Sequence, residues 1–486
     1  MLLFTSAALS FVLVSSGCMK LGPDYHRPEP GIHIPATYQY APTGPVTPEP
    51  QDRWWEVFKD PELNEIVTEA LKNNLDIKRA TARVLEVRSQ FVQTRAERFP
   101  TVGLDGVARR QERPVIGVIP GRSSSVKTDI FTLSLPASFE LDLWGRLARA
   151  EEAARSDLLR AEESRHTVAQ TVVADTISFY LLIESIERRI QITEQSIETF
   201  RLSLAFVGNR YERGLTSILD VRQARRILAG AEAILPSLRQ ELGIAQQNLA
   251  VLLGRYPKTR PSQSPEEDFY KRLAPVPSDL PSDLLLRRPD IRAAEAELKV
   301  LNALVGVAKA SRFPRITLTG TYGYSSDELS RLFEPESVLW NLALGIVQPL
   351  FDAGTLKARQ RGVEARYQEG VAEYAKTLLT AFSEVESALL TREEQLKRRD
   401  RLLNFLTEAR ATQRVAQNRY TRGLEDYLVV LDAQQTRFQA EQNMVDVDLA
   451  IMNNRVTLHR ALGGGWGTLP PVDMGDMVGP RSYLIW

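Results

Sequence analysis

Residues 312–351 read RFPRITLTGTYGYSSDELSRLFEPESVLWNLALGIVQPLF. Two runs inside this stretch alternate strictly. Ile316, Leu318, Gly320, Tyr322 and Tyr324 face one way, and Thr317, Thr319, Thr321 and Gly323 the other; Trp340, Leu342, Leu344 and Ile346 oppose Asn341, Ala343 and Gly345. Successive side chains of a strand point to opposite faces. Period-two alternation over about ten residues, with aromatics on the apolar face, marks a strand of a membrane β-barrel. Taken singly, each run also fits a half-buried strand of a soluble sheet. The first copy of the pattern lies upstream, where Phe131, Leu133 and Leu135 oppose Thr132 and Ser134, and Val102 and Leu104 oppose Gly103 and Asp105. The expected strands are about 101–112, 126–137, 315–325 and 338–348.

Each strand pair runs into a long segment free of proline, from Ala137 to Leu235 and from Leu350 to Leu469. Proline costs about 3 kcal/mol inside a helix, so these segments predict very long helices. Leu182, Ile186, Ile190, Thr193, Ile197, Phe200, Leu204 and Val207 step by four or three, a narrow apolar stripe. Leu378, Phe382, Val385, Leu389, Leu396, Leu403 and Leu406 make a second stripe, interrupted by Arg392 and Arg399. Sixty such residues span about 90 Å, more than a compact domain needs.

The chain also repeats itself. Asp76-Ile77 recurs as Asp290-Ile291 and Arg98-Phe99-Pro100 as Arg312-Phe313-Pro314, both offset by 290−76 = 214. Asn209-Arg210-Tyr211 recurs as Asn418-Arg419-Tyr420, Gly214-Leu215 as Gly423-Leu424 and Leu253-Gly254 as Leu462-Gly463, offset by 418−209 = 209. Two copies of one unit follow, the second five residues shorter in its middle. The resulting division is 1–17 signal peptide, 18–61 extended N-terminal segment, 62–256 first repeat, 257–289 proline-rich linker, 290–466 second repeat and 467–486 tail.

Four strands cannot close a barrel, and open edges are not tolerated in lipid. Two chains would supply eight strands with a filled interior, three would supply twelve and a lumen. Helices with a narrow apolar stripe and two wet faces suit a ring around water.

Composition narrows the remaining classes. Lys+Arg and Asp+Glu are 61 each, so charge gives no reason to propose nucleic acid. Mean hydropathy is −0.22, and beyond the extreme N-terminus no apolar run suits a transmembrane helix. The single cysteine, Cys18, excludes an intrachain disulfide framework and a Cys-based zinc site. It follows the apolar leader MLLFTSAALSFVLVSSG, and Ser16-Gly17-Cys18 fits a lipobox. Ser15 stands where Leu is usual, and no Lys or Arg precedes Lys20, which points to a start further upstream. His26, His33, His166 and His459 have no metal-ligand spacing, and no Walker loop, dinucleotide fingerprint or nucleophile elbow occurs. An enzyme has little support.

In order along the chain stand Gly22-Pro23-Asp24-Tyr25, Trp54-Trp55-Glu56-Val57-Phe58, the two Arg-Phe-Pro corners, Asp142-Leu143-Trp144-Gly145-Arg146, Gln348-Pro349-Leu350-Phe351-Asp352, Asn418 to Leu424 and Leu458 to Trp466. Together they resemble the TolC-like outer-membrane factors, in their lipoprotein branch from tripartite efflux systems, over essentially Cys18 to Trp466. The resemblance implies a homotrimer in the outer membrane of a Gram-negative bacterium, lipid-anchored at Cys18. It implies a twelve-stranded barrel continuous with a periplasmic helical tunnel, and a mixed equatorial collar fed by 257–289 and the termini. It implies a passive exit duct, without cofactor, working with a periplasmic adaptor and an inner-membrane pump.

The resemblance also places a closed periplasmic aperture at Leu428 and Asp432, with Leu219 and Gln223 as their first-repeat counterparts; Val429 stands where some relatives carry a second aspartate. Residue chemistry alone favours Leu428 as coiled-coil core and Asp432 as a solvated charge; the resemblance reverses that reading. The turns Arg213-Gly214 and Arg422-Gly423 are expected to dock the adaptor, although both arginines also complement a helix C-terminus. Two other classes share part of these signals: a periplasmic adaptor-type lipoprotein and a structural coiled-coil envelope protein. The cargo is not written in the sequence.

Overall fold

The computed structural model describes residues 19–29, 31, 38–40, 53–116, 123–258, 287–464, 469 and 472. Cys18, the leader and most of 257–289 lie outside the described residues. The chain divides into two units. One comprises 1–30, 85–161 and 294–374; the other 31–84, 162–293 and 375–486.

The first unit holds the sheet. Its strands are β1 (Thr101–Val102), β2 (Asp105–Ile116), β3 (Ser123–Leu141), β4 (Arg315–Ser326) and β5 (Val338–Val347). All pairs are antiparallel; β3 holds both β1 and β2 on one side and β4 on the other, and β4 pairs β5. β1 and β2 are one strand with a gap. Thr101 faces Ser138 and Asp105 faces Ser134 in a single register. At the gap Gly103 N–H donates to Pro136 O at 2.9 Å. Pro136 has no N–H to return the bond, and the ladder breaks there.

The register aligns Leu133, Leu135, Ala137, Phe139 and Leu141 of β3 with Tyr324, Tyr322, Gly320, Leu318 and Ile316 of β4. It continues to Trp340, Leu342, Leu344 and Ile346 of β5. This face is apolar and open: Trp340 is 74% and Ile346 63% exposed. From Phe131 to Leu141 it runs about 33 Å along the strand. That is longer than the ~25 Å apolar band of an outer-membrane barrel, as strands inclined to the membrane normal require.

Above Phe131 the same face turns charged, with Arg110–Asp129 at 3.4 Å and Lys127–Glu112 at 3.7 Å across the strands. β2 and β3 therefore outrun the apolar band: their ladder continues to Ile116 and Ser123, held by polar cross-strand pairs. Among the described residues no helix is long and apolar enough to cross a membrane.

The helices are α1 (Pro61–Asn73), α2 (Leu75–Ala96), α3 (Arg146–Glu212), α4 (Ile218–Leu252), α5 (Pro289–Ala310), α6 (Thr355–Thr421) and α7 (Tyr427–Ala461). α3 and α6 are 67 residues each and α4 and α7 are 35 each. The apolar stripe of α3 is buried at Ile186, Ile190, Thr193, Ile197, Phe200 and Val207. In α6, Leu378, Val385, Leu389 and Leu406 are buried and Leu403 is exposed. The proline boundary at Pro236 does not hold: α4 continues through it. Leu235 and Leu238 on either side pack against Ile186 and Ile190, and that burial offsets the lost backbone bond.

The second unit explains why the repeat carries Asp-Ile at one point and Leu-Gly at another. Asn74 Oδ1 accepts from the N–H groups of Asp76 (2.8 Å) and Ile77 (3.1 Å), capping α2, while its Nδ2 donates to Leu252 O at the end of α4 (2.9 Å). At the equivalent place, 288−74 = 214, Arg288 binds Asp290 and Glu384 at 2.7 Å each and donates to Ala461 O at the end of α7 (2.9 Å). The glycines that follow sit at positive φ against these clamps. A Cβ on Gly254 would lie 2.7 Å from Asn73 O, and one on Gly463 3.0 Å from Arg288 Cγ. Gly254→Ala is expected to cost about 2–3 kcal/mol, from the left-handed backbone and the overlap with a carbonyl that must shift. Gly208→Ala, inside α3 with nothing within 4 Å of its Cβ, should be neutral or slightly stabilising. Thermal unfolding followed by circular dichroism checks both.

Candidate functional site at the hairpin tips and the N-terminal strap

Each long helix ends in the same motif. Gly214 has φ +71° and Gly423 φ +72°. Gly214 N–H donates to Tyr211 O and Leu215 N–H to Arg210 O; Gly423 N–H donates to Tyr420 O and Leu424 N–H to Arg419 O, all at 2.8–3.0 Å. These are paired 5→2 and 6→1 bonds, which satisfy the last carbonyls when a glycine takes the left-handed position. The next helices start differently. Ser217 and Asp220 form a capping box on α4, whereas Asp426 precedes α7 without a side-chain cap.

The two hairpins share one core at this end, built from Val207, Val221, Ala224, Ala416, Tyr420, Tyr427, Val430, Leu431 and Ala433. Tyr427 O–H pairs with Ser203 Oγ at 2.9 Å, the Tyr420 and Tyr427 rings are 5.2 Å apart, and the Arg210 guanidinium lies 5.1 Å from the Tyr420 ring. Burial pushes the Tyr427 hydroxyl up to about 12 and raises that of Tyr420. Both stay neutral at physiological pH.

Leu428 stands outside this core. It is 57% exposed within its own chain, between the buried Tyr427 and Val430. Asp432 lies one turn on, also exposed, so both project from one face of α7. Leu219 is exposed in the same way on α4. Arg213 and Arg422 are exposed and take no carboxylate partner among the described residues, whereas Arg419 binds Glu425 at 3.1 Å and Leu424 O at 3.3 Å.

A second constellation escaped the sequence reading. Residues 19–29 lie as a strap along α3 and α5 in the first unit. Leu21 N–H donates to Trp144 O at 3.1 Å. Arg149, with a side chain 1% exposed, donates to Leu21 O and Gly22 O at 3.1 Å, to Asp24 at 2.9 Å and to Glu152 at 3.0 Å. Asn302 Nδ2 holds Pro23 O at 3.0 Å, Arg27 pairs with Glu295 at 2.6 Å, and Lys299 lies 5.4 Å from the Tyr25 ring. Gly22, at φ +98°, rests on Gly306: a Cβ there would be 2.5 Å from Gly306 Cα. The Gly-Pro-Asp-Tyr motif was visible as a match without a role. Arg149 was invisible, because an arginine in RLARAEEAARS reads as a solvated helix charge.

His166 and His459 are packing residues. Burial drops His166 to about 4 and holds His459 well below its usual value, with its ring stacked on Trp54 at 4.8 Å. No cluster of possible metal ligands occurs among the described residues.

The model of the outer membrane efflux protein family matches residues 66–255 and 280–464. The two matches begin 280−66 = 214 apart and end 464−255 = 209 apart, the offsets of the internal repeat. The solvent efflux pump outer membrane protein SrpC of Pseudomonas putida is 34% identical over 470 residues, 95% of this chain and 98% of SrpC. The cation efflux system protein CusC of Escherichia coli K12 is 32% identical over 456 residues, 93% of this chain and 97% of CusC. The solved outer-membrane channel OprN superposes with a TM-score of 0.84 at 29% identity, covering 92% of this chain and 99% of OprN.

Proposed function

Since the chain belongs to the outer membrane efflux protein family, we propose that it is the exit duct of a tripartite export system, a passive homotrimer fed by a periplasmic adaptor and an inner-membrane pump. The observation that carries this reading is the sheet: a four-stranded, outward apolar face with both edges unpaired among the described residues, each strand pair leading into a 67-residue helix. An adaptor or a purely structural coiled coil has no use for such a face. Purified protein should form heat-stable trimers and conduct ions across planar bilayers; an adaptor would do neither.

In this reading Leu428 and Asp432 form the periplasmic aperture. Three leucines close an apolar constriction that blocks by dewetting, and three aspartates favour cations. Arg213-Gly214 and Arg422-Gly423 dock the adaptor. Their unpaired cations at the turns support this, and Arg213→Glu with Arg422→Glu should weaken adaptor binding about tenfold or more and abolish its salt dependence. Unchanged affinity in pull-down titrations would remove the docking role. Cys18 carries the lipid, and the strap ties that anchor to the protein. Catalytic groups and cofactors have no part in this scheme. SrpC is named for solvents and CusC for cations, so one duct type serves chemically unlike cargo and the pump makes the selection.

A further inference from the structure

Within the chain the sheet ends at β1/β2 on one side and β5 on the other. We infer that the seam between subunits copies the internal β3–β4 junction residue for residue, so that Ile346 pairs with the partner subunit's Gly106 and Leu344 with the partner subunit's Ala108. This rests on the trimeric duct reading and adds to it the register of closure.

The equivalences come from the ladder itself. Thr101 faces Ser138 in the first repeat and Arg315 faces Val347 in the second. Shifted by the sequence offsets of 214 and 209, the first pair becomes residue 315 against residue 347, the pair observed in the second repeat. Applied to the junction, Ala137↔Gly320 becomes residue 137+209 = 346 against 320−214 = 106. Leu135↔Tyr322 becomes 344 against 108, Pro136↔Thr321 becomes 345 against 107, and Thr132↔Ser325 becomes 341 against 111.

The chemistry of the two free edges agrees. On the outer face, bulky Ile346 and Leu344 meet glycine and alanine, the large-to-small pairing already made inside the sheet at Leu342↔Gly320 and Leu133↔Gly106. On the inner face Asn341 meets the partner subunit's Gln111, amide against amide. Closure also becomes uniform. Following the ladder from Val102 through Ala137 to Gly320 arrives at the equivalent of residue 106, a stagger of 106−102 = 4 residues per two strands. The same stagger at every seam is what an evenly tilted barrel requires.

The test is cysteine cross-linking of the full-length protein in outer-membrane vesicles. The predicted pairs are Ile346→Cys with Gly106→Cys, Gly345→Cys with Val107→Cys, and Leu344→Cys with Ala108→Cys. The slipped pairs are Leu344→Cys with Gly106→Cys and Leu344→Cys with Arg110→Cys. Single-cysteine parents control for Cys18. Adjacent positions alternate between wide and close pairs, so the set samples both. A side chain at Gly106 meets only Leu133 Cδ1, at 3.9 Å, and fits. Oxidation should give covalent trimers in at least one predicted pair, at about tenfold the yield of the slipped pairs. Preferential cross-linking of a slipped pair overturns the register and leaves the duct intact. Absence of cross-links in every pair, with protein that sediments as a monomer, overturns the register and the trimeric duct together.

Discussion

Leu428→Gly trimers are expected to be open at least tenfold more often than the parent in planar bilayers, while Asp432→Asn leaves the open time unchanged and lowers cation preference. The two effects separate because the side chains do different work on one helix face. Leu428 is exposed in its own chain, so in the proposed aperture its burial comes from the neighbouring subunits. Burying one leucine contributes about 1.5–3 kcal/mol, and a tenfold shift needs only about 1.4 kcal/mol. Three leucines lost at once therefore exceed the threshold even if each is half buried at the seal. Asp432 contributes charge rather than closure, and its effect should fade as ionic strength rises. Leu219→Gly is the control: the first hairpin has Gln223 where the second has Asp432, and its effect should be smaller. Equal open probability in parent and Leu428→Gly would remove Leu428 from the gate.

The parts of this fold that were legible in the sequence are those where one physical constraint repeats. Alternation in Ile316–Tyr324 persists because a lipid-facing surface favours apolar and aromatic side chains. The glycines of Arg213-Gly214 and Arg422-Gly423 survive because only glycine takes φ near +70° without strain. What was hidden depends on partners distant in the chain. The ends of β2 and β3 were read short, since Arg109 to Arg113 and Ser123 to Thr128 lack an apolar face; the ladder persists there through cross-strand charge pairs that no periodicity reports. Pro236 read as a helix boundary because local cost was visible and the packing of Leu235 and Leu238 was not. The clamps at Asn74 and Arg288 occupy equivalent places with unlike side chains, so comparison of the repeats passed over them. At the tip, the resemblance singled out Leu428 and Asp432, but only the structure separates the exposed Leu428 from the buried Tyr427 and Leu431 beside it.

Gly22→Val should release the strap and leave the trimer markedly less stable, whereas Cys18→Ser should leave the strap in place. At Gly22 two costs coincide. A φ of +98° is unfavourable for a branched residue, and its Cβ would stand 2.5 Å from Gly306 Cα, a backbone atom with no side chain to move aside. Displacing the strap strips Arg149 of Leu21 O, Gly22 O and Asp24, leaving a buried guanidinium with Glu152. Breaking such a network from one side costs about 3–5 kcal/mol. Arg149→Lys should reproduce part of the loss, because an ammonium cannot hold two carbonyls and a carboxylate in one plane. The readout is tryptic cleavage after Lys20, slow in the parent where that side chain is paired with Glu152, together with the temperature at which trimers dissociate in detergent. If Cys18 carries the proposed lipid, Cys18→Ser removes only that lipid, so cleavage should stay slow while the protein loses its anchor. Equal protection of the strap in Gly22→Val and the parent would mean that the strap is not held through the Gly22–Gly306 contact, and Arg149 would then be an ordinary buried charge rather than the residue that ties the anchor to the barrel base.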